Sequence, residues 1–382
     1  MNKKNGFNTS AIHSGERVFE RAVTQPIFQS STYVFEGEAQ YLDVKYGRLN
    51  NTPNHQALGE KIATLEKAED AIVTSSGMAA ITAALLSLIE SGGHLLAQDN
   101  LYGGTYYFLK DDFPFWGREV TLFPTGDSRF VENYIRGNTK AIYVETISNP
   151  LLKIPDFEKI VSVAHKQGAL AIIDNTFASP YNFNPIEIGF DIVLHSATKY
   201  LNGHTDVLAG AIAGKREVLK KVRKLVCHLG PTLDPHACFL LNRGIKTLGL
   251  RMREHNANAL ELARFLQSLK KVERVYYPGL EEHPDHQRAK QYFKGFGGMV
   301  SFEFRGTPDD LETAMRRLTL PFVAPSLGGV ESLITRPSTT SHSGISIDER
   351  SQLGIKDNLV RFSVGLEDVN DLKDDFREAF GG

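Results

Sequence analysis

Cysteine is scarce in this sequence, as are long apolar segments. Cys227 and Cys238 are the two cysteines among 382 residues, too few for a disulfide framework or a cysteine-based zinc site. No segment approaches the roughly 18 uninterrupted apolar residues of a membrane helix, and the N-terminus lacks the apolar core of a signal peptide. We therefore expect a soluble protein of the reducing cytoplasm, with no membrane partner.

Net charge and common nucleotide-binding motifs are also lacking. The 43 basic and 45 acidic residues leave a formal charge of −2, which gives no electrostatic basis for binding nucleic acid. Neither a G-x-G-x-x-G loop nor a Walker phosphate loop occurs, so nicotinamide and nucleoside-triphosphate chemistry lack their usual sequence support. The closest histidine pair, His283 and His286, has no partner pair, and we expect no metal site.

The sequence does contain a long alternation of apolar runs and amphipathic segments. Residues 1–55 show little periodicity and are predicted to form an arm that contacts a neighbouring subunit. In residues 56–250, runs such as AIYVE (141–145) and DIVLHS (191–196) alternate with helix-like segments, which indicates an α/β domain with a mainly parallel sheet covered on both faces. Residues 251–382 are predicted to form a smaller α+β domain.

Polar groups follow three of the predicted strands, whose carboxyl ends should share one edge of the sheet. Residues 75–78 (SSGM) follow one strand and open a helix, where backbone N–H groups and the helix dipole bind anions. Asp174 ends a second strand, and Lys199 follows a third, where burial lowers the pKa of an amine. Singly, each fits an ordinary turn, cap or loop. Together they supply the anion cradle, acid partner and imine lysine that pyridoxal phosphate requires.

The segment HSATKYLNGHTDVLAG (195–210) resembles the lysine signature of the Cys/Met-metabolism pyridoxal-phosphate enzymes, the trans-sulfuration family. The resemblance extends over nearly the whole chain, through segments such as SSGMAAI (75–81), IIDNTFASP (172–180) and DNLVRFSVGLED (357–368). It implies the aspartate-aminotransferase-like fold (fold type I), with a mainly parallel seven-stranded sheet in the large domain. It also implies pyridoxal 5'-phosphate as the cofactor and an amino acid as the substrate.

Carried over by position, the resemblance implies a cofactor site. Lys199 forms the Schiff base with the cofactor, Asp174 pairs with the pyridine nitrogen, and Tyr102 stacks on the ring. Thr176 lies near the opposite ring face. The residues implied at the phosphate from the same chain are Ser76, Gly77, Met78, Ser196 and Thr198.

The resemblance further implies that the site is shared between subunits. Tyr46 and Arg48 reach the phosphate from the neighbouring subunit, so a homodimer is the least that is needed, and tetramers are usual in the family. The residues implied to bind the substrate carboxylate are Asn149, Ser326 and Arg361. The candidate catalytic residues are Lys199, Tyr102 and Tyr46.

Several positions depart from the family pattern. Asn51-Thr52-Pro53 replaces the usual Asn-Pro-Thr after Tyr46-x-Arg48, and Ile147 stands where a proline is common. Gly104 occupies a position where methionine γ-lyases typically have cysteine. Pro325 stands where many cystathionine γ-lyases and bacterial γ-synthases have glutamate, and plant-type γ-synthases read Ala-Pro-Ser. Without that carboxylate, a charge-assisted contact to a distal amine, worth about 1.5–3 kcal/mol, is lost.

These observations favour elimination or replacement at the γ-carbon of a sulfur amino acid or an activated homoserine, as in cystathionine γ-lyases and γ-synthases. Cystathionine β-lyase, methionine γ-lyase and homoserine sulfhydrylase activities remain alternatives within the family. Two other classes are a transaminase on the same fold and a non-catalytic relative. Tyr46-x-Arg48 argues against the first, and the intact Lys199, Asp174 and Arg361 argue against the second.

Overall fold

The computed structural model describes residues 5–38, 40–125 and 128–381, and the side chains of residues 128–130 are not described. The predicted arm therefore has residues 1–4 and 39 outside the described part. Its remaining residues hold helix α1 (Phe7–His13) and then run to α2 (Pro53–Glu66) with little regular structure. Two isolated bridges, Phe19–Ala22 and Thr32–Tyr46, occur along this segment.

A seven-stranded sheet is the centre of the larger domain within the described residues. Its strands are β1 (Asp70–Thr74), β2 (His94–Gln98), β3 (Glu119–Phe123), β4 (Thr139–Glu145), β5 (Leu170–Asp174), β6 (Ile192–Ser196) and β7 (Gly210–Gly214). They are ordered β1-β7-β6-β5-β4-β2-β3. Strand β7 is antiparallel to both of its neighbours, and the other pairs are parallel. The predicted mainly parallel sheet is confirmed.

Helices cover both faces of this sheet. Those that follow α2 are α3 (Gly77–Leu88), α4 (Gly103–Tyr107), α5 (Phe113–Phe115), α6 (Phe157–Lys166), α7 (Ser179–Asn182), α8 (Arg216–Leu229), α9 (Pro235–Ile245) and α10 (Leu248–Ser268). Ile172 and Ile173 are adjacent on β5 yet belong to different apolar cores. Alternate residues of a strand point to opposite faces, so each face of the sheet has its own core.

A second sheet forms the smaller domain. Its strands are β8 (Val272–Tyr276), β9 (Met299–Phe304), β10 (Phe322–Val323), β11 (Leu333–Thr335) and β12 (Leu359–Ser363), in the order β10-β11-β12-β9-β8. The accompanying helices are α11 (His286–Tyr292), α12 (Pro308–Arg317), α13 (Ile347–Leu353) and α14 (Val369–Phe380). Helix α10 continues across the predicted boundary at residues 250–251. The precise domain limits therefore stay a prediction.

Strand register positions the polar strand ends. Glu145 at the end of β4 is level with Asp174 at the end of β5, and Asp174 is level with Leu194, two residues before Ser196 on β6. Three parallel strands thus end side by side at one edge of the sheet.

Among the helices of the described residues, none has the length and apolar character that a membrane span requires.

Candidate active site

A cavity of about 650 Å³ opens at this edge of the large sheet. Arg361 from β12 lines it together with residues 325–327 from the loop between β10 and β11, so the smaller domain forms one wall. The predicted residues that line the cavity are Ser76, Gly77, Met78, Tyr102, Asn149, Asp174, Thr176, Ser196, Thr198, Lys199, Ser326 and Arg361. Segments that are far apart in sequence are therefore assembled around one space.

The N-terminus of α3 forms one end of the cavity. Ser76 is its N-cap, and the Ser76 hydroxyl accepts the Ala79 N–H at 3.1 Å. Gly77 packs so tightly on β6 that a Cβ at residue 77 would lie 2.7 Å from the Cβ of Ser196. Glycine thus lets the helix terminus, with its free N–H groups and positive dipole end, meet the Ser196 hydroxyl. This end of the cavity suits a phosphate group.

Asp174 is buried at the base of the cavity. Its Oδ1 accepts the Thr176 N–H at 2.9 Å, and the Thr176 hydroxyl in turn accepts the Ser196 N–H at 2.8 Å. Burial raises the pKa of Asp174, and the hydrogen bonds from Thr176 oppose that shift. Because a buried carboxylate needs a cationic partner, a protonated ring nitrogen suits this position. Thr176 links the ends of β5 and β6.

Glu66 at the end of α2 holds the same two strand ends from the rear. Its Oε1 accepts a hydrogen bond from the Asn175 amide at 3.0 Å and lies 2.5 Å from the Nε2 of His195. Asn175 follows Asp174 and His195 precedes Ser196. The Glu66 and His195 side chains are at most 1% exposed. One buried carboxylate therefore joins both strands behind the cavity.

Lys199 lies in the turn after β6 and points its amine to the opposite wall. The Nζ donates to the Ser326 hydroxyl at 2.6 Å. Burial, and then the positive charge of Arg361, lower the pKa of Lys199 to about 8. An amine with this pKa is substantially neutral near pH 8, as a nucleophile or a general base must be. Ser326 holds a positive φ of 96°.

Arg361 occupies the wall formed by the smaller domain. It is buried and reaches the loop that follows β4, where its Nη1 donates to the Asn149 Oδ1 at 3.2 Å. Its Nη2 donates to the Ser326 carbonyl at 3.3 Å. Burial lowers the pKa of Arg361 to about 10, so the guanidinium stays charged at neutral pH. A substrate carboxylate that enters here meets a fixed cation and an amide.

Tyr102 stands at the mouth of the cavity, where it is 45% exposed. It directly precedes α4, and its backbone N–H donates to the Glu145 Oε1 at 2.7 Å. The sequence analysis missed Glu145, which also lines the cavity. The signal that identified Asp174 was available for it, since Glu145 is likewise an acidic residue that ends a run of buried apolar residues.

Tyr46 and Arg48 are not among the residues that line this cavity. The Arg48 guanidinium donates to the Cys227 carbonyl and to the Tyr41 hydroxyl, both at 2.6 Å. The structure thus does not bring these two predicted residues to the site of their own chain. That they reach the phosphate in a neighbouring subunit's site stays a prediction.

Three of the positions that depart from the family pattern lie at or beside the cavity. Ile147 and Pro325 both line the cavity. The positions where the family commonly has a proline and a glutamate are therefore part of the site itself. A Cβ on Gly104 would lie 2.6 Å from the Cε1 of Tyr102. A side chain at this position would displace the tyrosine ring, which makes Gly104 part of the fit around Tyr102.

Comparison with known proteins identifies the family. The model of the Cys/Met metabolism PLP-dependent enzymes matches residues 8–381. The chain belongs to this family. Pyridoxal phosphate is therefore its cofactor, and the predicted enzyme class of trans-sulfuration is confirmed. The cofactor suits the residues present, because the glycine-dependent cradle at Gly77, the buried Asp174 and the amine of Lys199 match its phosphate, ring nitrogen and aldehyde.

Three relatives with different activities resemble the chain to nearly equal extents. Cystathionine gamma-synthase 1 of Arabidopsis thaliana is 41% identical over 96% of this chain and 68% of its own length. Cystathionine beta-lyase of Lactococcus lactis subsp. cremoris is 43% identical over 97% of this chain and 98% of its own. The crystal structure of cystathionine gamma-lyase from Lactobacillus plantarum complexed with L-serine is 40% identical, covers 98% of both chains and superimposes with a TM-score of 0.94. Fold type I is confirmed.

Proposed function

We propose that this enzyme catalyses elimination or replacement at the γ-carbon of a four-carbon amino acid, either a thioether or an activated homoserine. The observation that carries the proposal is the amine of Lys199, which is held in the cavity by Ser326 and has a pKa lowered to about 8. Chemistry at the γ-carbon requires one base to take protons from both the α- and the β-carbon. A neutral amine on a long, flexible side chain is suited to both transfers.

Each wall of the cavity has a proposed task. Arg361 and Asn149 bind the substrate α-carboxylate, with Ser326 beside them, and so fix the α-carbon within reach of the amine of Lys199. The bound cofactor supplies the electron sink that makes the α-proton acidic. Tyr102, or Tyr46 from a neighbouring subunit, donates a proton to the departing thiol or ester oxygen.

The cofactor is proposed to be held at three points, which are its ring nitrogen, its phosphate and its ring face, on which Tyr102 stacks. Asp174 pairs with the ring nitrogen, while Thr176 orients that carboxylate through its backbone N–H. The residues proposed at the phosphate are Ser76, Gly77, Met78, Ser196 and Thr198. Thr198 is itself fixed by two hydrogen bonds between its hydroxyl and the Ala209 backbone, at 2.9 and 3.2 Å.

We propose that the enzyme is a homo-oligomer, at least a dimer and as a full assembly a tetramer, in which Tyr46 and Arg48 complete the neighbour's phosphate site. The arm supports this proposal because several of its large apolar side chains are exposed in the single chain. Val23 is 96% exposed, Val34 84% and Phe35 65%. Large apolar side chains exposed to this extent in one segment support an interface with another subunit. A cytoplasmic location is proposed on the two unpaired, buried cysteines.

A substrate panel tests the γ-carbon proposal. Purified enzyme is incubated with cystathionine, methionine, O-acylhomoserine and O-phosphohomoserine, with and without cysteine, and the thiol and α-keto acid products are identified. We expect turnover that yields a four-carbon keto acid or a γ-substituted product. Lys199→Ala, which retains the cavity, should be inactive with every substrate. Absence of turnover with the whole panel would refute the proposal.

Cleavage at the β-carbon is the second candidate, because the Lactococcus lactis cystathionine beta-lyase is as similar to the chain as the γ-carbon relatives are. The two reactions give different products from cystathionine. β-Elimination releases homocysteine and a three-carbon keto acid, whereas γ-elimination releases cysteine and a four-carbon keto acid. Mass spectrometry of the keto acid separates them, and a three-carbon product alone would replace the leading proposal with this one.

A further inference from the structure

Glu145 is a buried acid at the cavity to which the proposed reaction assigns no task. It is 5% exposed, lies at the end of β4 and lines the cavity. Its Oε1 accepts the backbone N–H of Tyr102 at 2.7 Å, and its own N–H donates to the Gln98 side chain at 3.0 Å. The acid is therefore fixed by one neighbouring strand, β2, and itself fixes the residue that directly precedes α4.

The hydrogen bond from Tyr102 to Glu145 connects the end of β4 to the residue that directly precedes α4. Tyr102 directly precedes α4, so its backbone N–H has no helical partner and needs an acceptor from elsewhere. Tyr102 is 45% exposed, and its ring packs against Gly104. A side chain exposed to this extent has few contacts to hold it in place, and the backbone tether then determines where the ring lies.

The electrostatic surroundings of Glu145 agree with such a structural contact. Glu145 is level with Asp174 on the adjacent strand. Burial, and then the proximity of Asp174, raise the pKa of Glu145 well above its usual range. A raised pKa disfavours a second negative charge beside the carboxylate of Asp174, and the Glu145 oxygen accepts the Tyr102 N–H in either protonation state.

We propose that Glu145 is a positioning residue, which holds the Tyr102 ring against the cofactor through its hydrogen bond to the Tyr102 backbone. The inference rests on the proposed role of Tyr102 at the cofactor ring. It assigns to Glu145 no proton transfer and no contact with the substrate. A side chain of similar shape with a neutral carbonyl oxygen should therefore replace it.

Two substitutions separate the effect of the hydrogen bond to Tyr102 from the effect of filling the buried space at residue 145. Glu145→Gln keeps the shape and the acceptor, while Glu145→Leu keeps the volume and removes the acceptor. We expect Glu145→Leu to raise the cofactor Kd about tenfold, the factor that corresponds to the loss of one buried hydrogen bond. Hydrogen–deuterium exchange of residues 99–107 in the cofactor-free protein should accelerate in Glu145→Leu and remain unchanged in Glu145→Gln. Glu303→Leu, which removes a buried acid in the smaller domain, controls for generic destabilisation.

A double-mutant cycle with Tyr102→Ala tests whether Glu145 acts through Tyr102. The inference predicts that Glu145→Leu adds no further loss of cofactor affinity once Tyr102 is alanine. Additive losses would overturn it, as would wild-type exchange at residues 99–107 in a folded Glu145→Leu protein. If Tyr102→Ala alone leaves the Kd and the cofactor absorption spectrum unchanged, the role of Tyr102 is refuted and the inference falls with it. Additive losses or wild-type exchange would refute only the hydrogen bond's positioning role, whereas an unaffected Tyr102→Ala would refute the role of Tyr102 itself. The two failures are therefore distinguishable.

Discussion

At the scale of single residues, Lys199 and Arg361 face one cavity with like charges, and this proximity has a consequence for pH. The pKa of Lys199 is lowered to about 8, first by burial and then by Arg361. Only the neutral amine attacks an aldehyde. Since the neutral fraction grows as pH rises through the pKa, the cofactor-free protein should capture pyridoxal phosphate slowly below pH 8 and reach a plateau above it.

Stopped-flow absorbance across this pH range measures the midpoint. Arg361→Met removes the neighbouring positive charge and should move the midpoint to higher pH, because a protonated Lys199 is then less disfavoured. Arg305→Met replaces an exposed arginine outside the cavity and should leave the midpoint in place. A midpoint that is the same in Arg361→Met and in the unsubstituted protein would contradict this explanation of the Lys199 pKa.

At the scale of the secondary-structure elements, the close approach of α3 to β6 depends on Gly77. A Cβ at residue 77 would lie 2.7 Å from the Cβ of Ser196, so Gly77→Ala must push the helix terminus from the strand. Overpacking of this kind costs about 1–3 kcal/mol. We expect the cofactor Kd to rise about tenfold or more, as measured by fluorescence titration of the cofactor-free protein.

Gly137→Ala is the matched control for this substitution. A Cβ at residue 137 meets nothing within 4 Å, and the same chemical change there should leave the cofactor Kd unaltered. Equal Kd values for the two alanine variants would show that the close packing at Gly77 does not matter for the cofactor.

The elements also show why the sequence could predict that some of the cavity residues lie together. Asp174 and Lys199 were identified because each follows an apolar run, and parallel strands bring such ends together. Glu145 satisfies the same rule, but its partner is the backbone N–H of Tyr102, and no periodicity encodes a contact between the end of one strand and the start of a distant helix. Arg361 was assigned by family resemblance, since its place in the wall depends on how the second sheet meets the first.

At the scale of the whole molecule, the position of Tyr46 and Arg48 outside their own cavity predicts complementation between chains. Lys199→Ala and Arg48→Ala should each be nearly inactive as separate proteins. When the two variants are unfolded, mixed in equal amounts and refolded, hybrid dimers should hold one site with both residues intact. Random pairing makes half of the dimers hybrids with one good site of two, so activity should recover to about a quarter of the unsubstituted level.

The control for this experiment uses two residues of the same cavity. Lys199→Ala mixed with Arg361→Ala should recover nothing, because both residues line the site of one chain and no hybrid site contains both intact. Recovery in this second mixture would show that Lys199 and Arg361 of one working site come from different chains. No recovery in the first mixture, with hybrids verified by native mass spectrometry, would show that Arg48 serves no neighbour.

The contacts of Glu66 bear on how tightly the cofactor can be held. One buried carboxylate ties the residue after Asp174 to the residue before Ser196, so the two strand ends are fixed in their relative places by the protein itself. Conformational freedom at these positions is lost when the chain folds and not when the cofactor arrives. More of the interaction energy at Asp174 and Ser196 therefore remains as affinity, which is the advantage of a preorganised site.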